Sequence, residues 1–210
     1  RLRASSNFLV EFFSGVPAMA ESDSAGDLFY RHGKPMVVTK LEAARRQLNT
    51  AIQLSFAERD PVSIHALAYA SYDIIHRLFR CQGHKDDLVF DTKELPEKQR
   101  EAWNKSIKDA PNFFKHANRG KDDESIRFLP GLSDVFMLHS LYALRKMHVK
   151  LTPTEVAYSI WGALHFPSEF FAKFLADKGL DTDRVQYLKG TTRPEFYKAF
   201  LRHVQEGGQR

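Results

Sequence analysis

Thr39 to Arg80 read TKLEAARRQLNTAIQLSFAERDPVSIHALAYASYDIIHRLFR, and this stretch decides the fold. It opens on a capping box, in which the hydroxyl of Thr39 and the carboxylate of Glu42 accept hydrogen bonds from amides at the helix start that otherwise lack partners. Apolar side chains then recur at helical spacing, at Leu41, Ala44, Leu48, Ile52 and Phe56. The pattern predicts an amphipathic helix with one buried face, ending at about Glu58.

A second helix is predicted to follow almost at once. Asp60 is a favourable N-cap, and Pro61 suits the first helical position because its missing amide hydrogen costs nothing there. The buried stripe of this helix consists of Ile64, Leu67, Ala68, Ser71, Ile75 and Leu78, and the helix ends near Arg80. Since only a very short turn separates the two helices, we expect them to lie antiparallel.

Capping signals and helical periodicity continue along the rest of the chain. Thr152-Pro153-Thr154-Glu155 is a second capping box, with Pro153 at the first helical position. These signals predict further helices over about residues 96–108, 111–118, 133–145, 153–166, 168–178, 181–188 and 192–205, with a polar connection at residues 81–93. A brief extended segment is predicted at Ile126-Arg127-Phe128. No stretch alternates polar and apolar residues over a useful length, so no sheet is expected. The predicted fold is all-α, a bundle of about seven to eight helices arranged in antiparallel pairs.

The domain organisation follows from length and pattern. A chain of 210 residues with 43% hydrophobic residues can bury one core. Residues 39–206 are therefore predicted to form a single helical domain, after a partly irregular N-terminal arm at residues 1–38. Met19-Ala20-Glu21 is typical of a natural start, so we expect residues 1–18 to be sequence added upstream rather than a targeting peptide.

Charge and cysteine content indicate the setting. The net charge of +5 is compatible with an anionic partner, although basic and acidic residues are interspersed along most helices. Cys81 is the single cysteine, which leaves no intrachain disulfide and no thiolate metal site. A reducing compartment, the cytoplasm, is the expected location. No stretch approaches the roughly 18–20 apolar residues that span a bilayer, so no membrane association is expected.

The densest group of candidate functional side chains lies on one predicted helical face. Its members occupy positions i, i+3, i+4 and i+7, and they are Asn112, Lys115, His116 and Arg119. Phe113, Phe114 and Ala117 are predicted to turn toward the core. The face combines an amide, an ammonium, an imidazole and a guanidinium, which together suit a phosphate group.

These groups could also catalyse metal-independent RNA cleavage. In that interpretation His116 transfers protons, Lys115 and Arg119 stabilise the pentavalent phosphorane, and Asn112 orients the substrate. No metal ion and no organic cofactor is required. The alternative is structural, with His116 and Asn112 bridging neighbouring helices and the cations forming ordinary solvated surface.

A second polar stripe lies on the predicted second helix. His65, Tyr69, Tyr72 and His76 share one side, with Asp73 at its edge. The stripe either lines a helix interface or forms a small-ligand or metal pocket around His65, Tyr72 and His76. The two histidines are about 16 Å apart along a helix axis, too far to share one metal ion. Each would need metal ligands from another helix, such as His139 or Glu155, and since the sequence locates none of them, no metal-binding residues are assigned.

Three stretches resemble an uncharacterised family of small bacterial helical proteins. They are Lys40-Leu41-Glu42-Ala43-Ala44, Arg59-Asp60-Pro61-Val62-Ser63-Ile64-His65 and Ala110-Pro111-Asn112-Phe113-Phe114-Lys115-His116-Ala117. The resemblance covers roughly residues 38–161 and implies no particular activity.

More distantly, paired antiparallel helices followed by a basic motif that ends in His resemble the HEPN superfamily. Many of its members are metal-independent ribonucleases of toxin and defence systems. Their motif places an Arg four to six positions before a His, whereas the run before His116 has Asn112 and Lys115 instead. The resemblance implies an RNA-binding or phosphate-binding protein, as a homodimer that brings two such faces together. The alternative is a non-catalytic helical module for protein interaction or regulation.

Overall fold

The computed structural model describes residues 36–93, 95–115, 125–166 and 182–207. The chain divides into two compact units after Val38, and the helices named here belong to the unit that begins at Thr39. The predicted arm as far as residue 35 and the predicted helix at residues 168–178 lie outside the described residues.

The described part of the chain is helical, which confirms the predicted all-α class. Its helices are α1 (Lys40–Phe56), α2 (Pro61–Cys81), α3 (Glu97–Lys115), α4 (Leu132–Lys146), α5 (Pro153–His165), α6 (Thr182–Lys189) and α7 (Arg193–Gly207). A 3₁₀ turn at Val89–Asp91 lies between α2 and α3. These residues contain no strand, at Ile126-Arg127-Phe128 or elsewhere. Among the helices described here, none has the length and apolar character needed to cross a bilayer.

The helix starts are set locally, as the sequence predicts. Both Thr-x-x-Glu capping boxes are present: Glu42 N donates to Thr39 Oγ1 over 3.2 Å, and Glu155 N donates to Thr152 Oγ1 over the same distance. Asp60 caps α2 by accepting from Ser63 N at 2.7 Å. Side-chain acceptors therefore satisfy first-turn amides of α1, α2 and α5.

Helix α2 is the central element of the bundle. It packs along α1 on one side and along α4 on another, while α5 contacts both α1 and α4. The core between them contains large, fully buried side chains, including Leu48, Phe56, Tyr72, Phe79, Phe136 and Tyr158. Gly162 permits the close approach of α5 to α4, because a Cβ there would lie 2.2 Å from Cδ2 of Leu138. The core thus joins helices that are far apart in sequence.

Two predictions for the segment between α2 and α4 are wrong. The helices predicted at 96–108 and 111–118 are one continuous helix as far as Lys115, with Pro111 inside it. Burial of Ile107, Ala110 and Pro111 against the bundle offsets the hydrogen bond that proline cannot make. The connection at residues 81–93 is not simply polar either, since Leu88, Val89 and Phe90 at its end are buried.

Candidate functional site

Two lysines of α3 extend over aromatic rings on the neighbouring part of the bundle. Lys108 Nζ lies 4.5 Å from the ring centroid of Phe90, and Lys115 Nζ lies 4.9 Å from that of Tyr69. Both are cation–π contacts, which hold the long side chains against the protein. Lys108 is half-buried and Lys115 is exposed. Neither ammonium has a carboxylate partner within the described ranges.

Asn112 belongs to the same stretch of α3, four residues after Lys108 and three before Lys115. Its side chain is half-buried and makes no hydrogen bond to any described residue. We name Lys108, Asn112 and Lys115, with Tyr69 and Phe90 beneath the lysines, the α2–α3 surface. His116 and Arg119, the other two members of the predicted polar face, lie outside the described residues.

The two phenylalanines of the motif differ in their surroundings. Phe114 is half-buried and packs edge-on against Phe128, with ring centroids 5.2 Å apart. Phe113 was predicted to face the core but is 40% exposed. The prediction for Phe113 is wrong because the two rings are adjacent on α3 and point about 100° apart around the helix axis, so one faces the bundle and the other does not. An exposed ring therefore lies beside Asn112.

His65 of the second predicted stripe is a core residue. Its ring is 1% exposed and contacts the rings of Phe114, Phe128 and Phe136. Nδ1 lies 3.0 Å from Ser133 Oγ, and the buried Nε2 has no hydrogen-bond partner among the residues that the structure describes. Burial lowers the pKa of His65 to about 4, so the imidazole is neutral near pH 7. It is therefore closed off from a ligand in solution.

Tyr72 and His76 are the last two members of this stripe on α2. Tyr72 is fully buried, and its hydroxyl accepts a hydrogen bond from Phe90 N over 3.3 Å. His76 Nε2 hydrogen-bonds to Asp91, which also accepts from Arg80 Nε at 2.9 Å. Burial would raise the pKa of Asp91, but the hydrogen bonds from His76 and Arg80 lower it below its ordinary value. These contacts fasten the 3₁₀ turn to α2.

His65 and His76, two members of the predicted pocket with Tyr72, face different partners in the described part of the chain. His65 faces Ser133, whereas His76 faces Asp91. None of the three residues lines either of the two cavities described below. Within the described ranges, no group of three or more histidine, cysteine, aspartate or glutamate residues could hold a metal ion.

One cavity of about 440 Å³ lies where α1 ends and α2, α4 and α7 begin. Its wall includes Ser55, Asp134 and Arg193. Arg193 donates to Ser55 Oγ and, over 2.8 Å, to Asp134 Oδ2, and its guanidinium lies 4.2 Å from the ring centroid of Trp161. Burial would lower the pKa of Arg193, but the bond to Asp134 raises it. Through these contacts, Arg193 links the start of α7 to the core.

A second cavity, of about 460 Å³, lies between α3 and α4 above the 3₁₀ turn. Trp103 of α3 and His139 of α4 stand on its walls, and we name it the Trp103–His139 cleft. Sequence reasoning missed this cleft. No local pattern indicates that a tryptophan will face a histidine 36 residues later across a gap.

Comparisons with protein-family models, curated proteins and solved structures gave no match. The described helices define the class as an all-α helical bundle.

Proposed function

We propose that this chain binds single-stranded RNA, or another phosphate-bearing ligand, through the α2–α3 surface. The observation that carries the proposal is the placement of Lys108 and Lys115. They are seven residues apart on one flank of α3, about 10 Å along its axis. Both ammonium groups are held over rings, and neither is neutralised by a described carboxylate. Two unneutralised cations at fixed positions suit consecutive contacts to a phosphate backbone.

The neighbouring side chains favour RNA over a free phosphate ion. Asn112 carries both donors and an acceptor, which suit a base edge or a ribose hydroxyl. The exposed ring of Phe113, next along the helix, offers a face on which an unstacked base can lie. The net charge of +5 supports association with a polyanion. With Cys81 as its single cysteine, the chain suits a reducing, cytoplasmic setting.

The catalytic form of the proposal is a metal-independent ribonuclease, which agrees with the HEPN resemblance. The ribose 2′-oxygen would attack phosphorus after losing its proton, and the 5′-oxygen would leave after gaining one. His116 would transfer protons while Lys115 and Arg119 stabilise the phosphorane. This form rests on the sequence motif, because His116 and Arg119 lie outside the described residues. A homodimer would bring two histidines together, one for each proton transfer.

Binding is tested with a fluorescent single-stranded RNA and the variant Lys108→Gln/Lys115→Gln. The expected result is about a tenfold loss of affinity in anisotropy titrations, with the slope of log K against log salt reduced by about 1.4. The matched control is Lys150→Gln/Lys198→Gln, which removes the same charge from exposed positions elsewhere. Equal losses of affinity in the two variants would mean that RNA is attracted by the net charge alone, and would contradict binding at the α2–α3 surface.

Catalysis is tested by incubating mixed RNA with wild type and His116→Ala in the presence of EDTA. The catalytic form expects cleavage by wild type alone, with 2′,3′-cyclic phosphate ends. If neither protein cleaves RNA but wild type still binds it, the binding form remains. In a third outcome, wild type neither binds nor cleaves RNA, and His116→Ala only lowers the melting temperature. That outcome would favour the alternative function, a non-catalytic interaction or regulatory module. Light scattering of the same samples tests the homodimer.

A further inference from the structure

The Trp103–His139 cleft has the size of a small-molecule site. Its volume of about 460 Å³ falls within the range of about 300–1,000 Å³ that is typical of ligand pockets. The N-terminal half of α3 forms one wall and α4 the other, with the 3₁₀ turn between them. The lining residues are Asp87, Leu88, Val89, Thr92, Leu95, Trp103, Val135 and His139.

Most of this lining is apolar. Leu88 and Val89 are almost completely buried and form the floor, while Trp103 and Val135 are half-buried on opposite walls. Trp103 adds a broad planar surface. A ligand that filled the gap would remove apolar area of both partners from water, which is the main favourable contribution to binding in such sites.

The polar groups of the cleft are few, and one of them lacks a partner. His139 is half-buried, and its imidazole makes no hydrogen bond to the residues described here. Burial lowers the pKa of His139 to about 4, so at pH 7 the ring offers one N–H donor and one nitrogen acceptor. Asp87 is the one carboxylate among the described lining residues, and it already pairs with Lys93, with 3.1 Å between Oδ1 and Nζ.

We propose that the Trp103–His139 cleft binds a planar, uncharged heteroaromatic molecule. The flat indole of Trp103 and the apolar floor favour a planar ring system. The unpartnered imidazole of His139 selects a ring that can donate or accept one hydrogen bond. A charged ligand is disfavoured because it would lose its hydration against leucine and valine side chains without gaining an ion pair.

This site is independent of the proposed RNA contact. Trp103 and Lys108 are five residues apart on α3, which places them about 140° apart around the helix axis. The cleft and the α2–α3 surface therefore lie on different flanks of the same helix, and either proposal can fail alone.

The test uses indole as the probe, with indole-3-carboxylate as its charged counterpart. Indole is expected to bind the full chain at one saturable site, with a Kd on the order of 1 mM or below. Indole-3-carboxylate should bind at least about tenfold more weakly. Isothermal titration measures both, and NMR of the imidazole of His139 should show a shift that saturates with indole.

Two variants assign the binding to the cleft. Val135→Trp fills the space and should abolish saturable binding, whereas Val62→Trp, at an exposed valine of α2, should leave it unchanged. His139→Phe keeps a planar ring but removes the hydrogen bond, and about a tenfold loss is expected. The proposal is overturned if wild type shows no saturable binding or if Val135→Trp binds like wild type. Should Val135→Trp fail to fold, the absence of an indole-dependent shift at His139 in wild type would overturn it equally.

Discussion

At the scale of single residues, His65 shows how an ionisable group can belong to a core. The ring lies 5.3 Å from the ring centroid of Phe128 and 5.6 Å from that of Phe136, with Ser133 as its hydrogen-bonding neighbour. Burial lowers its pKa from 6.5 to about 4. Between those values the unfolded chain binds a proton that the folded chain does not. The free energy of unfolding therefore falls as the pH falls through this window.

A variant tests this contribution to stability. Lowering the pH from 7 to 5 should reduce the free energy of unfolding by about 2 kcal/mol through His65 alone. We expect His65→Phe to remove that part of the pH dependence, as measured by urea denaturation at both pH values. His203→Phe, at an exposed position of α7, is the control and should keep the dependence of wild type. If the free energy of unfolding of His65→Phe depended on pH as it does in wild type, the lowered pKa of His65 would be contradicted.

At the scale of helices, two identical caps have different roles. The carboxylate of Glu42 accepts from Thr39 N over 2.8 Å at an exposed helix start. The carboxylate of Glu155 accepts from Thr152 N over 2.7 Å, but it is also 0% exposed. Arg45 Nε and Asn49 Nδ2 of α1 each donate to Glu155 Oε1 over 3.1 Å. The second cap therefore also joins α5 to α1.

Alanine substitution separates these roles. Glu42→Ala removes only the glutamate of an exposed capping box, in which Thr39 still caps the helix, and should lower the free energy of unfolding only slightly. Glu155→Ala should cost about 2–4 kcal/mol, because it also removes an acceptor from the half-buried side chains of Arg45 and Asn49. Urea denaturation of the two variants at pH 7 measures the difference. Similar costs for both would mean that the contact between α1 and α5 adds nothing beyond the cap.

At the scale of the whole molecule, the helical domain begins at its own cap. Thr39 and Glu42 satisfy first-turn amides of α1 through hydrogen bonds to each other. The buried residues of α1 pack on α2, α4, α5 and α7. The described contacts within the bundle are thus made by residues from Thr39 onward.

We therefore predict that the fragment 39–206 folds without the preceding residues. Its far-UV circular dichroism should show a cooperative thermal transition, with a midpoint within about 4 °C of that of the full chain, which corresponds to less than about 1 kcal/mol. The full chain under the same buffer conditions is the reference. A fragment that aggregates or melts without a transition would place part of the folding unit before Thr39.

The sequence by itself determined the class of fold and the helix starts. The capping boxes at Thr39 and Thr152 and the Asp60-Pro61 start of α2 depend on residues within four positions of each other. Such short-range chemistry can be recognised without knowing what the helix will pack against. The buried faces of α1 and α2 follow from the 3.6-residue period in the same way.

Only the tertiary structure decided which helices pack together and which side chains of the connecting segments are buried. Pro111 remains inside α3 and Phe90 lies against Tyr72 because distant parts of the chain supply their packing partners. The same holds for the burial of His65 and the gap between Trp103 and His139. Each depends on contacts between residues that are far apart in sequence, and a local pattern carries no information about which helix will become the neighbour.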